Sequence, residues 1–232
     1  ALAHACVDAR TGRVKIPGFY EDVVPPTKAE ISNFLASGFQ VRRFMRAYGF
    51  RALRTTDPAE VLRRIWASPT FEVHGLVGGY TGPGVKTAVP GHGELKVSMR
   101  LVPDQRPEKI FALLRRFVAK QNPNVQVERE SMLQPFRGVF SGPYAEAVRR
   151  AVRAGFGKEP AFIREGGSIG AVAMMHRAWR VPILFMGLSL PEHGYHAPNE
   201  HFDWGQASGG MRAFASYFAE LAKLGKRAAS SE

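Results

Sequence analysis

One cysteine, Cys6, stands in 232 residues. A lone thiol excludes an internal disulfide and fits a reducing cytoplasm. There is no apolar run of about eighteen residues, so no membrane-spanning helix is expected; the longest candidate, PILFMGLSL at 182–190, is strand-length. The opening residues ALAHACVDARTGR lack the basic lead and long apolar core of a secretory signal. Carboxylates are scarce beside bases: 20 Asp and Glu against 32 Lys and Arg give a formal charge of +12. That excess is spread, with twenty bases to twelve acids over 1–134 and twelve to eight over 135–232. Stretches such as VLRRIW, LLRRF and AVRRAVRAG read as solvated helix faces. No RNA-recognition aromatic motif, helix-turn-helix signature or zinc-finger spacing accompanies them, so no specific nucleic-acid partner is expected. A general attraction for anionic ligands such as carboxylates is the more modest consequence.

What is present suffices for a core: 45% of residues are hydrophobic and 22% charged. Residues 1–12 read as the tail of a helix ending at Gly12, and VKIPGFYEDVVPPTKAE as a proline-punctuated connector. A helix then opens at a Thr27-x-x-Glu30 capping box, and another at Asp57-Pro58. From residue 70 the texture changes. TFEVHGLVGGY, GELKVSMRLVP and NVQVERES alternate like strands around an amphipathic helix, RPEKIFALLRRFVAKQ, with Ile110, Leu113, Leu114 and Val118 on one face. This order predicts a small α+β unit with an antiparallel sheet over 1–134. After Pro135, helix GPYAEAVRRAVRAGFG, strand AFIREG, helix SIGAVAMMHRAW, strand VPILFMGLS and a last helix near 205–224 predict part of a mostly parallel α/β domain over 135–232. Two such strands leave edges and faces unpaired, so the second half reads as part of something larger.

Three stretches carry chemistry. EGGSIG, 165–170, fits the G-x-S-x-G nucleophile elbow with Ser168, but the acid and histidine would have to be Glu192 with His193, His196 or His201, all in one loop. It fits equally a glycine-rich turn offering amides to a carboxylate. GGYTGPGVKT, 78–87, fails as a phosphate loop because Val85 separates the last glycine from Lys86. EHGYHAPNEHFDW, 192–204, is rich in metal-ligand types, yet its spacing is not H-E-x-x-H and Pro198 interrupts any continuous helix.

Taken in order, IPGFYEDV, HGLVGGYTGPGVKTAVP, SMRLVPDQRPEKI, REGGSI and HAPNE resemble the co-catalytic zinc metallopeptidases: carnosinase-type dipeptidases, aminoacylases and acetylornithine deacetylase. The likeness is strongest to the cytosolic non-specific dipeptidase branch and runs along essentially the whole chain. It implies an α/β catalytic domain with an inserted α+β lid that makes a homodimer. The lid would be 1–134, and 135–232 the returning part of the catalytic domain.

The resemblance also implies roles. His196 would bind one of two zinc ions, manganese being an alternative. Arg100 would grip the substrate's C-terminal carboxylate. Gly167 and Ser168 would contact the bound dipeptide or N-acyl amino acid, and Thr87 would reach the neighbouring subunit's site. Asn199 and Glu200 would hold the histidine loop. RESMLQPF departs from the pattern, with Ser131 where the branch carries a histidine. No catalytic residue is expected in this chain: the general-base Glu, the remaining metal ligands and a lid histidine belong to family motifs that would precede residue 1. A separate N-terminal polypeptide is then an expected partner. Two alternatives stand beside this reading: an inactive dimerisation module, and a serine hydrolase using Ser168.

Overall fold

The computed structural model describes residues 1–165 and 169–229, the last five as backbone only. The chain divides into two compact units: Ala1–Pro25 with Ala67–Phe136, and Pro26–Trp66 with Arg137–Glu165 and the residues from Ala171 onward. One crossing between units falls at 136/137. The segment Pro26–Trp66 groups with the later residues.

In the first unit, helix α1 spans Leu2–Cys6 and ends at Val7, which turns extended (φ −140°, ψ 141°). The helix expected to run to Gly12 is therefore one and a half turns long. Val7 bridges Val14 instead, and Gly12, at φ 73°, closes the intervening turn with its N–H on the Asp8 carbonyl at 2.7 Å. β-Branched valines favour the bridge over a continued helix. Strands β1 (Glu72–Gly78) and β2 (Gly93–Ser98) pair antiparallel, Leu76 opposite Leu95, with an irregularity between Val73 and Gly75. Helix α5, Pro107–Gln121, lays Ile110, Leu114 and Val118 into a core with Cys6, Val14, Ile16, Phe19 and Phe71, while Leu113 packs at its margin. Gln105 is buried just before that helix. Its carbonyl accepts from the Val102 N–H at 3.0 Å, and its amide donates to the Phe19 carbonyl at 2.8 Å. Both amide ends are thus satisfied, as burial requires.

The second unit begins with α2 (Lys28–Leu35), where Thr27 Oγ1 accepts from the Glu30 N–H and Glu30 accepts from the Thr27 N–H at 2.9 Å, a full capping box. Helix α3 is Val41–Ala47; α4, Pro58–Ala67, is capped by Asp57, which accepts from the Glu60 N–H at 3.2 Å. Rings of Phe34 and Phe39 pack on Trp66, and Phe44, Tyr48 and Phe50 stack around α3. Helices α6 (Pro143–Phe156) and α8 (Trp204–Ala229) pack through small residues. Ala145, Ala147, Ala151 and Gly155 are buried on α6, and Gly209, Gly210 and Ala213 on α8. A Cβ on Gly155 would lie 2.5 Å from the Gly209 carbonyl oxygen, so that position demands glycine. Arg150 closes the crossing onto Glu220 at 2.6 Å. Helix α7, Gly170–Trp179, buries only Val172.

The molecule is a mixed α/β protein with one two-stranded antiparallel sheet among its described residues. NVQVERES, AFIREG and VPILFMGLS, expected as strands, carry no ladder there. A strand is held by its neighbours' backbone hydrogen bonds, and no described segment offers these stretches such a neighbour.

Candidate functional site

The segment carrying His196 folds as a tight, anchored loop. Pro191–His193 forms a single 3₁₀ turn, and Gly194 follows in the left-handed region at φ 65°. Ala197 N–H donates to the Gly194 carbonyl at 2.9 Å, and Glu200 N–H to the Ala197 carbonyl at 3.3 Å. His201 N–H then reaches back to the His193 carbonyl at 3.0 Å and closes the loop. His196 and Asn199 adopt φ 64° and 63°, a conformation uncommon outside glycine that the closure holds in place.

His193 is buried within this loop. Its Nδ1 accepts from the Leu190 N–H at 3.0 Å, which requires the ring proton on Nε2, and Nε2–H donates to Asp203 Oδ2 at 2.7 Å. The other Asp203 oxygen accepts from the Gln206 N–H at 2.8 Å and caps α8. The Gln206 amide and the His193 hydrogen bond hold the Asp203 carboxyl below its usual range. With both nitrogens engaged, His193 has none left for a metal ion or for activating a serine.

Two further anchors come from α3 and the residue that caps its C-terminus, Tyr48. Arg43 grips Glu192 through Nε and, at 2.9 Å, through Nη2, a bidentate pair that lowers the Glu192 pKa. The Tyr48 and Tyr195 hydroxyls lie 2.6 Å apart; burial first, and then this bond, push the Tyr48 pKa up. Held between these anchors, His196 is exposed, and its imidazole has no hydrogen-bond partner among the described residues. His201 is exposed too, with Nδ1 3.2 Å from the Asn199 carbonyl. Asn199 and Glu200 hold the loop through backbone atoms.

The other expected site residues lie elsewhere. Arg100 sits exposed just after β2, its carbonyl accepting from the Thr70 N–H at 3.0 Å. Thr87 is exposed in the irregular segment between β1 and β2, and Ser131 is exposed after α5. Arg100 and Thr87 belong to the first unit and His196 to the second. Gly167 and Ser168 lie outside the described residues.

A zinc site needs three or four protein donors. Among the described residues, no group of three or more His, Cys, Asp or Glu side chains could hold a metal ion. The described residues therefore do not by themselves form a complete zinc site.

Of the loop's anchors, one leaves a mark in the sequence. Asp203-x-x-Gln206 before α8 is a capping-box pattern that flags Asp203 as a structural carboxylate. Nothing local announces Arg43, which meets Glu192 across 149 residues of sequence.

Against this geometry stand the likenesses to known proteins. A family model described as peptidase dimerisation domain matches residues 19–126. The Beta-Ala-His dipeptidase of Homo sapiens is 28% identical over 230 residues, covering 97% of this chain and 45% of that protein. The Cys-Gly metallodipeptidase DUG1 of Saccharomyces cerevisiae is 28% identical over 222 residues, covering 91% of this chain and 45% of the relative. Among solved structures, human carnosine dipeptidase 1 matches with a TM-score of 0.80 at 28% identity, over 96% of this chain and 48% of that one. An M20 family metallo-carboxypeptidase from Sulfolobus solfataricus matches with a TM-score of 0.83 at 27% identity, over 93% and 50%. The chain spans about half the length of the curated relatives it matches. Residues 19–126 thus resemble the M20 peptidase dimerisation domain, and the proteins similar to the chain along most of its length are dipeptidases and M20 family metallopeptidases.

Proposed function

We propose that this chain, a homologue of the M20 family metallopeptidases, supplies the dimerisation domain and the C-terminal catalytic part of a cytoplasmic metal-dependent hydrolase of dipeptides or related N-acyl amino acids. The observation that carries the reading is similarity to metallodipeptidases along 97% of the chain rather than along one motif. Residues 1–134 are assigned to the lid and 135–232 to the catalytic part, and two copies pair through the lid.

His196 is assigned as one metal ligand. The anchored loop favours that role, because it holds an unshared imidazole in the open at a fixed backbone geometry. Arg100 is assigned to the substrate's free carboxylate, which a guanidinium binds by two parallel hydrogen bonds. Gly167 and Ser168 are assigned to the peptide itself, and Thr87 to the partner subunit's site. Zinc, when bound, polarises the scissile carbonyl and lowers the pKa of a water. The other ligands and the general base are supplied from outside residues 1–232, on this reading by a further N-terminal segment or polypeptide. The 232 residues by themselves then act as a dimerisation module without catalysis, a second reading favoured by the lack of any cluster of three metal donors among the described residues.

The test is denaturing intact mass and metal analysis of the protein purified from its own cells, with hydrolysis of β-alanyl-histidine and cysteinyl-glycine measured on the same sample. Two zinc ions per active assembly, and loss of metal and turnover in His196→Ala, are expected. Full turnover and unchanged metal in that variant would overturn the assignment. An assembly that binds no metal and cleaves neither peptide would leave the dimerisation module as the function.

A further inference from the structure

Residues 31–56 contain five arginines and no carboxylate, in a chain where acids are otherwise interspersed with bases. Three of the five share α3. Arg42, Arg43 and Arg46 line a cavity of about 550 Å³ together with Gln40, Ala47 and Glu192. Arg42 and Arg46 are four residues apart, so they stand on one face of the helix, where like charges repel and weaken it. Neither has an ion-pair partner among the described residues, whereas Arg43 is committed to Glu192. Three guanidiniums against one carboxylate leave the cavity with a net +2.

The surroundings make this a placed constellation rather than a loose basic face. Phe44, between the arginines in sequence, packs on Phe39, Tyr48 and Phe50, which fixes the helix that carries them. Glu192, also in the lining, orients Arg43 through two hydrogen bonds. Gln40 adds a neutral donor to the lining. The depression is open to solvent, with Arg42, Arg43 and Arg46 all exposed, and the forked donors of arginine match the oxygens of a phosphoryl group. We propose that this cavity binds a small molecule through a doubly charged phosphoryl group, held by Arg42 and Arg46 with Arg43 and Gln40. The dianion cancels the net +2 and relieves the repulsion along α3. Because Glu192 and Tyr195 tie the same helix to the histidine loop, occupancy is felt at that loop. The inference stands apart from the metal assignment of His196.

Calorimetric titration with inorganic pyrophosphate, at constant ionic strength in sodium chloride, tests it. Saturable one-site binding is expected, weakened about tenfold or more in Arg42→Gln/Arg46→Gln. It should be unchanged in Arg115→Gln/Arg116→Gln, which removes the same charge from α5. Absence of saturable binding, or equal weakening in both double variants, would overturn the site in favour of the diffuse pull of a +12 chain. In the unaltered protein, pyrophosphate should also protect Arg42 and Arg46 from phenylglyoxal, read by peptide mass. Unprotected arginines there would overturn it without depending on a variant's fold.

Discussion

Helix α6 and strand β1 both carry regular apolar patterns and meet opposite fates. α6 buries Ala145, Ala147, Val148, Ala151 and Gly155 against a partner in its own chain. β1 buries none of its residues: Leu76 is 81% exposed and Val77 51%. Burial is a property of the neighbour as much as of the residue. α6 has α8, whose glycines let two backbones approach; the β1–β2 hairpin meets the core of its unit through Val97 of β2, and the apolar side chains of β1 stay uncovered. That hairpin lies inside the stretch matched by the peptidase dimerisation domain, so its apolar side chains are the ones our homodimer assignment would cover.

The contrast yields graded expectations. Gly155→Ala forces a methyl against the Gly209 carbonyl, which cannot swing away as a side-chain tip would. It should destabilise the second unit by about 1–3 kcal/mol, seen as a lower urea midpoint. Asp203→Ala removes the α8 cap and the His193 partner together, for about 0.5–2 kcal/mol by the same measurement. A loss as large as that of Gly155→Ala would mean that the loop, and not the helix crossing, dominates the unit. Next is Glu60, which accepts from Arg63 and Arg64, at 2.7 Å from each Nε. The Arg63 hydrogen bonds chiefly, then those from Arg64, hold its carboxyl down at about 2, from an ordinary 4.5. Its contribution is complete above about 4.5 and is lost as pH falls through about 2, so Glu60→Gln should flatten the acid limb of a melting-temperature profile there. At the small end, Leu76→Asp should change monomer stability by no more than about 0.5 kcal/mol. It should still shift sedimentation toward the monomer. A β1 substitution that unfolds the monomer instead would erase the contrast.

These elements also show where local reading reaches its limit. The Thr27 and Asp57 caps, the buried stripe of α5 and the body of α6 were legible because their partners lie within four residues or on the same helix face. AFIREG and VPILFMGLS were not, since alternation and apolarity describe one strand, and a ladder needs two. The histidine loop divided the same way. His196 stood out in its motif, whereas the side chains that hold its loop are set by a turn geometry at His193 and by the distant Arg43. The run to Gly12 failed for a further reason: Val7 and Val14 found each other across a turn, a tertiary preference that helix periodicity does not register.

Gln105 has a bearing on how the protein is made. Its amide meets Phe19 across 86 residues, and the core around Phe19 needs α5, which starts at Pro107. On the ribosome, Phe19, Ile16 and Val14 therefore emerge well before α5 and stay open to water until it follows. Domains fold as units during synthesis, and a nascent chain with apolar side chains uncovered is prone to aggregate. The interval between Phe19 and α5 is thus the period in which a chaperone has something to bind.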